Sequence, residues 1–246
     1  AFHSQRLSRI AEDVALREKT KVIVIAGPSG SGKTTTAKRL KIQLQVCGLN
    51  PTVISLDNYF VDREKTPLDE QGNYDFEVLE AIDLDLLESQ LAKLLKGEEV
   101  RVPEFDFIKG KNFPGATLRL NKHDVLIIEG IHGLNEKVTA VVPEEMKFGI
   151  FVSPLTGINL DEHKRTSTTD NRLLRRMIRD YRTRGHSAER TLDLWPSVIK
   201  GAREYIFPYQ SSAVAMFNSS LPYELAVLRG YAQPLLQTVP ESSSMH

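Results

Sequence analysis

Lys21 to Thr34 reads KVIVIAGPSGSGKT, an unbroken apolar run that ends in a glycine-rich turn and a Lys-Thr pair. Consecutive apolar residues from Val22 to Ala26 suit a strand buried on both faces, the kind found inside parallel sheets. Gly27 to Thr34 fits the spacing G-x-x-x-x-G-K-[ST]. Glycines at 27, 30 and 32 let the backbone wrap an anion with its N–H groups, and Ser29, Ser31 and Thr35 belong to the same turn. The helix opening at Lys33 adds its positive N-terminus. In this pattern Lys33 reaches the outer phosphates of a nucleotide such as ATP, and the Thr34 hydroxyl is a ligand for Mg²⁺.

Outward from this stretch, strands and helices alternate. Lys33 to Val46 carries Ala37, Leu40 and Leu44 at helical spacing, with Gly48 as a stop. Pro51 to Asp57 reads as a second strand. Leu84, Leu87, Leu91, Leu94 and Leu95 form a helix stripe closed by Gly97. Asp124 to Gly130 and Phe148 to Val152 read as further buried strands, and Ala213 to Phe217 as a last one. Asn171 to Arg184 and Thr191 to Tyr205 read as helices, with Pro196 near the first turns of the second. Alternation of this kind predicts an α/β protein of the P-loop NTPase fold, a mainly parallel sheet with helices on both faces. Its site then lies beyond the carboxyl ends of the strands.

The chain has 246 residues, 41% hydrophobic and 26% charged, enough for one domain with a sizeable core. Residues 21–240 read as that domain, with a lid over about 161–190. Residues 1–20 read as an amphipathic helix with Leu7, Ile10 and Val14 on one face, and 241–246 as a disordered tail. The first residue is Ala1, and the opening helix reads as the remnant of an upstream region. Lys plus Arg and Asp plus Glu are both 32, so global charge gives no support to a nucleic-acid or membrane partner. No apolar run approaches the ~20 residues of a membrane span. A single cysteine, Cys47, excludes an intrachain disulfide and agrees with a cytoplasmic protein. A homo-oligomer is compatible with all of this.

Two acids follow strands. Asp57, after the second, is placed to accept a proton from an attacking hydroxyl or to touch Mg²⁺ through water; the plainer alternative is a turn cap. Glu129 closes the strand Val125 to Ile128, where such folds hold an acid for Mg²⁺; a structural glutamate is the plainer alternative. Arg172, Arg175, Arg176 and Arg179 fall at i, i+3, i+4 and i+7, so one helix face carries all four. Arg165, Arg182 and Arg184 extend the run. Like charges at this spacing need anions, either bound phosphates under a closing lid or the nearby Asp161, Glu162, Asp170 and Asp180. His123, His132, His163 and His186 lack the spacing of metal ligands.

These motifs, in this order, resemble the uridine kinase and phosphoribulokinase family from residue 21 onward. The features are GPSGSGKTT (27–35), SLDNYF (55–60), YDF (74–76), PEFDF (103–107), DVLIIEG (124–130) and RLLRRMIRDYRTRG (172–185). The resemblance implies an ATP- and Mg²⁺-dependent kinase of a small-molecule hydroxyl, with a pyrimidine nucleoside as first acceptor. A sugar phosphate or a nucleoside monophosphate is the alternative. It implies Asp57 as base, Lys33, Arg176 and Arg179 as further catalytic groups, and Thr34 and Glu129 at the metal. Tyr59, Asp75, Phe105, Asp106, Arg172 and Arg175 are then candidates for holding the acceptor. The stretch Phe105 to Asn112 departs from uridine kinases in lacking the histidine that contacts the base there. The opening helix is similar to the junction in uridine kinase-like chains that follow a threonyl-tRNA synthetase-like segment.

Two other classes compete. A non-catalytic nucleotide-binding module would keep the glycines and Lys33 and need neither Asp57 nor the arginines. A GTPase is suggested by Asp69–Gly72 (D-x-x-G) and Asn121–Asp124 (N-K-x-D). The first does not follow a buried strand, and the second leads into the Glu129 strand instead of closing a later one, so both read as turns.

Overall fold

A computed structural model describes residues 2–156 and 167–243. The expected start of the lid, with Asp161, Glu162, His163 and Arg165, lies outside the described residues, as does the end of the tail.

Among the described residues, seven strands and six α-helices follow in the order α1 (Phe2–Ala15), β1 (Val22–Ala26), α2 (Lys33–Val46), β2 (Asn50–Ser55), α3 (Leu84–Leu95), β3 (Val100–Asp106), β4 (Lys111–Leu118), β5 (Asp124–Glu129), β6 (Lys147–Ser153), α4 (Thr168–Thr183), α5 (Ala188–Gly201), β7 (Ala215–Asn218) and α6 (Glu224–Leu236). Five strands form one parallel sheet in the order β2-β5-β1-β6-β7. β1 lies at its centre, buried along its whole length, so the glycine-rich turn after it opens at the middle of the sheet's carboxyl edge.

Alternation along the central strands divides the core. Val22, Val24, Leu126 and Ile128 face a cluster with Leu87, Leu91 and Leu94 of α3. Ile23, Ile25, Val125 and Ile127 face the other way, onto Ala37, Leu40 and Leu44 of α2 and Leu7, Ile10 and Val14 of α1. The amphipathic face of the opening helix is therefore buried in the same core as α2.

Some elements differ from the sequence reading. β2 ends at Ser55, and Leu56–Tyr59 turns into a 3₁₀ helix whose second residue, Asp57, donates its amide to the Ser55 hydroxyl at 3.4 Å. β2 is an edge strand, separated from β1 by β5, so Asp57 reaches the centre through this turn. α5 starts at Ala188, which puts Pro196 in its interior, and its C-terminal end loosens into a π turn over Ala202–Ile206. The antiparallel hairpin β3–β4 was hidden by Pro103 and Pro114, which face each other across it. A two-stranded ribbon is all edge and tolerates residues without an N–H. α6 carries Gly230 and Pro234, both helix-weakening, which masked it as well. Asp69 and Asn121 sit in turns, with the Asp69 carboxylate accepting from the amides of Gln71 and Asn73.

Candidate active site

The turn after β1 holds the geometry its glycines allow. Gly30 has φ 77°, and a Cβ there would strike the backbone carbonyl of Arg172 on α4. Only glycine lets the turn and α4 approach this closely. Lys33 opens α2, and its ammonium donates to the Pro28 carbonyl at 3.4 Å. The Thr34 hydroxyl donates to Glu129 Oε1 at 2.9 Å, and the Ser55 hydroxyl donates to the same oxygen at 3.0 Å. The two residues expected at a metal are thus hydrogen-bonded to each other across β1 and β5.

Burial raises the Glu129 carboxyl above its usual range, and the charge of Asp57 pushes the same way against Lys33. Burial also brings Lys33 down to about 8, against the pull of Glu129 and Asp57. At about 8 the ammonium is still mostly charged at pH 7, and phosphate oxygens held in the cradle would raise its proton affinity again. One prediction follows for the free protein. Lys33 reacts with an amine reagent at pH 8 to 8.5 ahead of the other lysines, and a bound nucleotide protects it. Peptide mapping of the labelled lysine checks this; labelling of Lys33 no faster than that of surface lysines contradicts it.

The arginine face of α4 packs directly on the turn. Arg172 donates to the Ser29 carbonyl at 2.9 Å and lies over the Trp195 ring. Arg175 donates to the carbonyls of Gly30 and Ser31, and pairs with Glu224 at the start of α6. Arg176 donates to the Ser29 hydroxyl at 2.9 Å, pairs with Asp180 at 3.2 Å and reaches Glu77 at 3.5 Å. These guanidiniums need acceptors, and the turn and three acids supply most of them, though Arg172 Nη2 has no hydrogen-bond partner. Arg172 and Arg175 are thereby held by the protein itself, away from the cleft where an acceptor would sit. Arg179 differs: it pairs with Asp180 yet stays 38% exposed, beside Lys33.

A cleft of about 540 Å³ runs from Lys33 and Thr34 past Asp57, Glu77 and Glu129. Its far wall is aromatic: Tyr74, Phe76, Phe105 and Phe107, with Phe60 at the centre of the edge-to-face contacts. Arg184 crosses it, donating to Asp57 Oδ2 at 3.1 Å while its guanidinium lies 4.0 Å from the Phe107 ring centre. Tyr59 points elsewhere; it is fully buried and its hydroxyl donates to Gln90 at 2.8 Å. Asp75 accepts from the Glu77 amide, and Asp106 from the amides of Ile108 and Lys109 in the hairpin turn. None of these three lines the cleft, while Phe105 does.

Sequence reasoning missed Glu77 and gave Arg184 no role. Glu77 is 8% exposed, one of its oxygens has no hydrogen-bond partner, and burial raises its carboxyl despite Arg176 and Lys33. The only sequence signal for it was its place next to the YDF motif.

A second cavity, about 370 Å³, also starts at Lys33 and Thr34 but has a different wall, with Thr35, Arg39, Ser219 and Leu221. Both cavities share Lys33, Thr34 and Arg179. The oxygen-only donors Thr34, Glu129 and Asp57 suit a hard cation such as Mg²⁺, which takes few protein ligands and leaves room for phosphates. The cradle and this donor set fit a Mg²⁺–nucleotide, held at Gly27 to Thr35, whose metal would neutralise charge on the phosphates.

A central parallel strand, a glycine-rich anion cradle and an acid on the neighbouring strand define a P-loop nucleotide-binding α/β protein. The pattern of the phosphoribulokinase/uridine kinase family matches residues 22–224. The chain is 30% identical over 183 residues to the uridine kinase of Chlamydia pneumoniae, covering 74% of each protein. It is 31% identical over 181 residues to that of Staphylococcus aureus strain JH9, covering 74% of this chain and 78% of that one. A solved structure described as a possible uridine kinase from Bacillus stearothermophilus has the same fold, with a TM-score of 0.56 at 19% identity over 87% of this chain and 97% of that one. This chain belongs to the phosphoribulokinase/uridine kinase family and is a phosphotransferase. A non-catalytic binding module and a GTPase are thereby set aside. Among the described residues no helix is long and apolar enough to cross a membrane.

Proposed function

We propose that the chain transfers the terminal phosphoryl group of Mg²⁺·ATP to a hydroxyl of a small cytoplasmic acceptor, with a pyrimidine nucleoside as the first choice. The observation that carries this reading is the shared floor of the two cavities. A donor nucleotide on the Ser219 side and an acceptor on the Asp57 side would meet over Lys33, Thr34 and Arg179. That arrangement suits in-line displacement, in which positioning and charge neutralisation supply most of the rate. In it Asp57 accepts the hydroxyl proton, Glu129 and Thr34 hold the metal, and Lys33, Arg176 and Arg179 take up charge near the transferred group.

The aromatic wall supports a flat heterocycle as part of the acceptor, since rings pack well edge-to-face or stacked. The relatives' description as uridine kinases supports the same choice. In place of a base-contacting histidine in the hairpin, polar groups on the cleft wall come from Arg63, Asn73 and His186. Asp75, Asp106 and Tyr59 would then act at a distance, shaping the turns around the cleft.

The test is ADP release with Mg²⁺·ATP against uridine, cytidine, other nucleosides, ribulose 5-phosphate and nucleoside monophosphates. Turnover with uridine or cytidine is expected. Turnover confined to a phosphorylated acceptor would keep the transfer chemistry and replace the nucleoside, and Arg63, Arg184 and Arg190 around the cleft would then be its anion ligands.

A further inference from the structure

The donor-side cavity is lined in part by a residue from outside the family pattern. That pattern begins at residue 22, whereas His3 of α1 lines the cavity beside Phe217 of β7. We infer that the first turn of α1 completes the donor pocket and that His3 is a specificity-determining residue which packs against the nucleotide base. This rests on the donor assignment made above.

Three observations carry it. The cavity is continuous: its walls run from Gly30, Lys33 and Thr34 through Arg39 to His3, so phosphates in the cradle leave the rest of a nucleotide pointing at α1. The imidazole is held in place. It meets the Phe217 ring edge-on at 5.2 Å, and Arg39 of α2 donates to the Ser4 hydroxyl at 3.3 Å, tying the first turn of α1 to the helix that follows the cradle. Farther along, Leu7, Ile10 and Val14 lock α1 into the core, so the first turn has a fixed seat.

The chemistry of the ring suits the role. Burial lowers the His3 imidazole below its usual range, and the neighbouring guanidiniums of Arg39 and Arg175 push the same way against the Ser220 backbone. The neutral form is therefore favoured. A neutral imidazole is a flat ring with one donor and one acceptor, able to stack on a purine or meet its edge. Nothing in the cradle itself distinguishes one base from another, because its contacts are to phosphate. Discrimination has to come from this end.

The experiment is calorimetric binding of two probes to the full chain and its variants: ADP, and inorganic tripolyphosphate, which offers phosphates without a base. His3→Ala is expected to weaken ADP by about tenfold, within the range for losing one base–aromatic contact, and to leave tripolyphosphate unchanged. His3→Phe, which keeps a flat ring, is expected to recover most of the ADP affinity. Unchanged ADP binding in His3→Ala overturns the inference. Equal weakening of both probes overturns it too, because the variant would then have disturbed the cradle and not a base contact. Lys33→Ala separates this from the donor assignment. If it retains both probes, the donor site itself is misplaced; if it loses both while His3→Ala binds ADP normally, the donor site stands and only the α1 wall falls.

Discussion

Lys33→Ala stops phosphoryl transfer to every acceptor, with an expected loss of about 10³ to 10⁵ in kcat, the range for removing a cation that clamps a transferring phosphoryl group. Lys33 is the one cation on the floor of both cavities that comes from the cradle itself, and Glu129 and Asp57 lie close enough to shift its proton equilibrium. Its loss leaves the charge that develops on the phosphates facing two carboxylates. The fold is expected to tolerate the change. Lys33 in the free protein has its proton affinity lowered to about 8, from an ordinary value of 10.5. Between those values the unfolded chain binds a proton that the folded chain has released, so stability from this group rises with pH across that window. Below pH 8 the protonated ammonium is a net cost to the folded state. Lys33→Ala therefore melts no lower than the parent at pH 7, and single-turnover measurements on a folded variant isolate the chemistry. Turnover within tenfold of the parent would remove Lys33, and the cradle with it, from the site of transfer.

The parts of the site that depend on local sequence were readable in advance. A strand buried on both faces, a turn that only glycine fits and a helix opening at Lys33 all lie within a few residues of one another. Glu129 follows from the same logic one strand over. What escaped depends on direction and on distant partners. Helical spacing correctly put Arg172, Arg175 and Arg176 on one face, but it is silent about what that face meets. The answers, Glu77 and Glu224, lie 99 and 49 residues away from the arginines they pair with. Asp170, one of the acids expected to neutralise the stripe, is exposed on α4, and among the described residues Asp180 serves Arg176, Arg179 and Arg184 together.

Tyr59 shows the second limit. It belongs to the same short motif as Asp57, yet the chain leaves β2 as a 3₁₀ turn, in which successive side chains point about a third of a circle apart. Two residues after Asp57 the side chain faces the core. A motif fixes which residues are present; the turn fixes which of them see the cleft. Arg184 shows the reverse case, a residue at the loose end of the stripe that α4 nevertheless delivers to Asp57.

Asp57→Asn is the other substitution with a large expected effect, a fall of about 10² to 10⁴ in kcat with ADP binding nearly unchanged. The amide keeps the size and hydrogen-bonding reach of the carboxylate but cannot take a proton from a hydroxyl. The ion pair with Arg184 complicates the reading, because the loss could come from a displaced arginine. Arg184 also sits 3.7 Å from Asp180 and over the Phe107 ring, so two of its three holds survive the change. A double-mutant cycle with Arg184→Met decides between the two causes. If Asp57 is the base, Asn at 57 removes most of the rate whether or not Arg184 is present, and the single and double variants differ by the arginine's own contribution. If Asp57 serves only to hold Arg184, either single change costs the same and the double costs no more. Loss of ADP binding in parallel with kcat would assign Asp57 to the metal instead. The geometry favours the base: Asp57 lines the aromatic cleft, while the hydroxyls of Thr34 and Ser55 both point to Glu129.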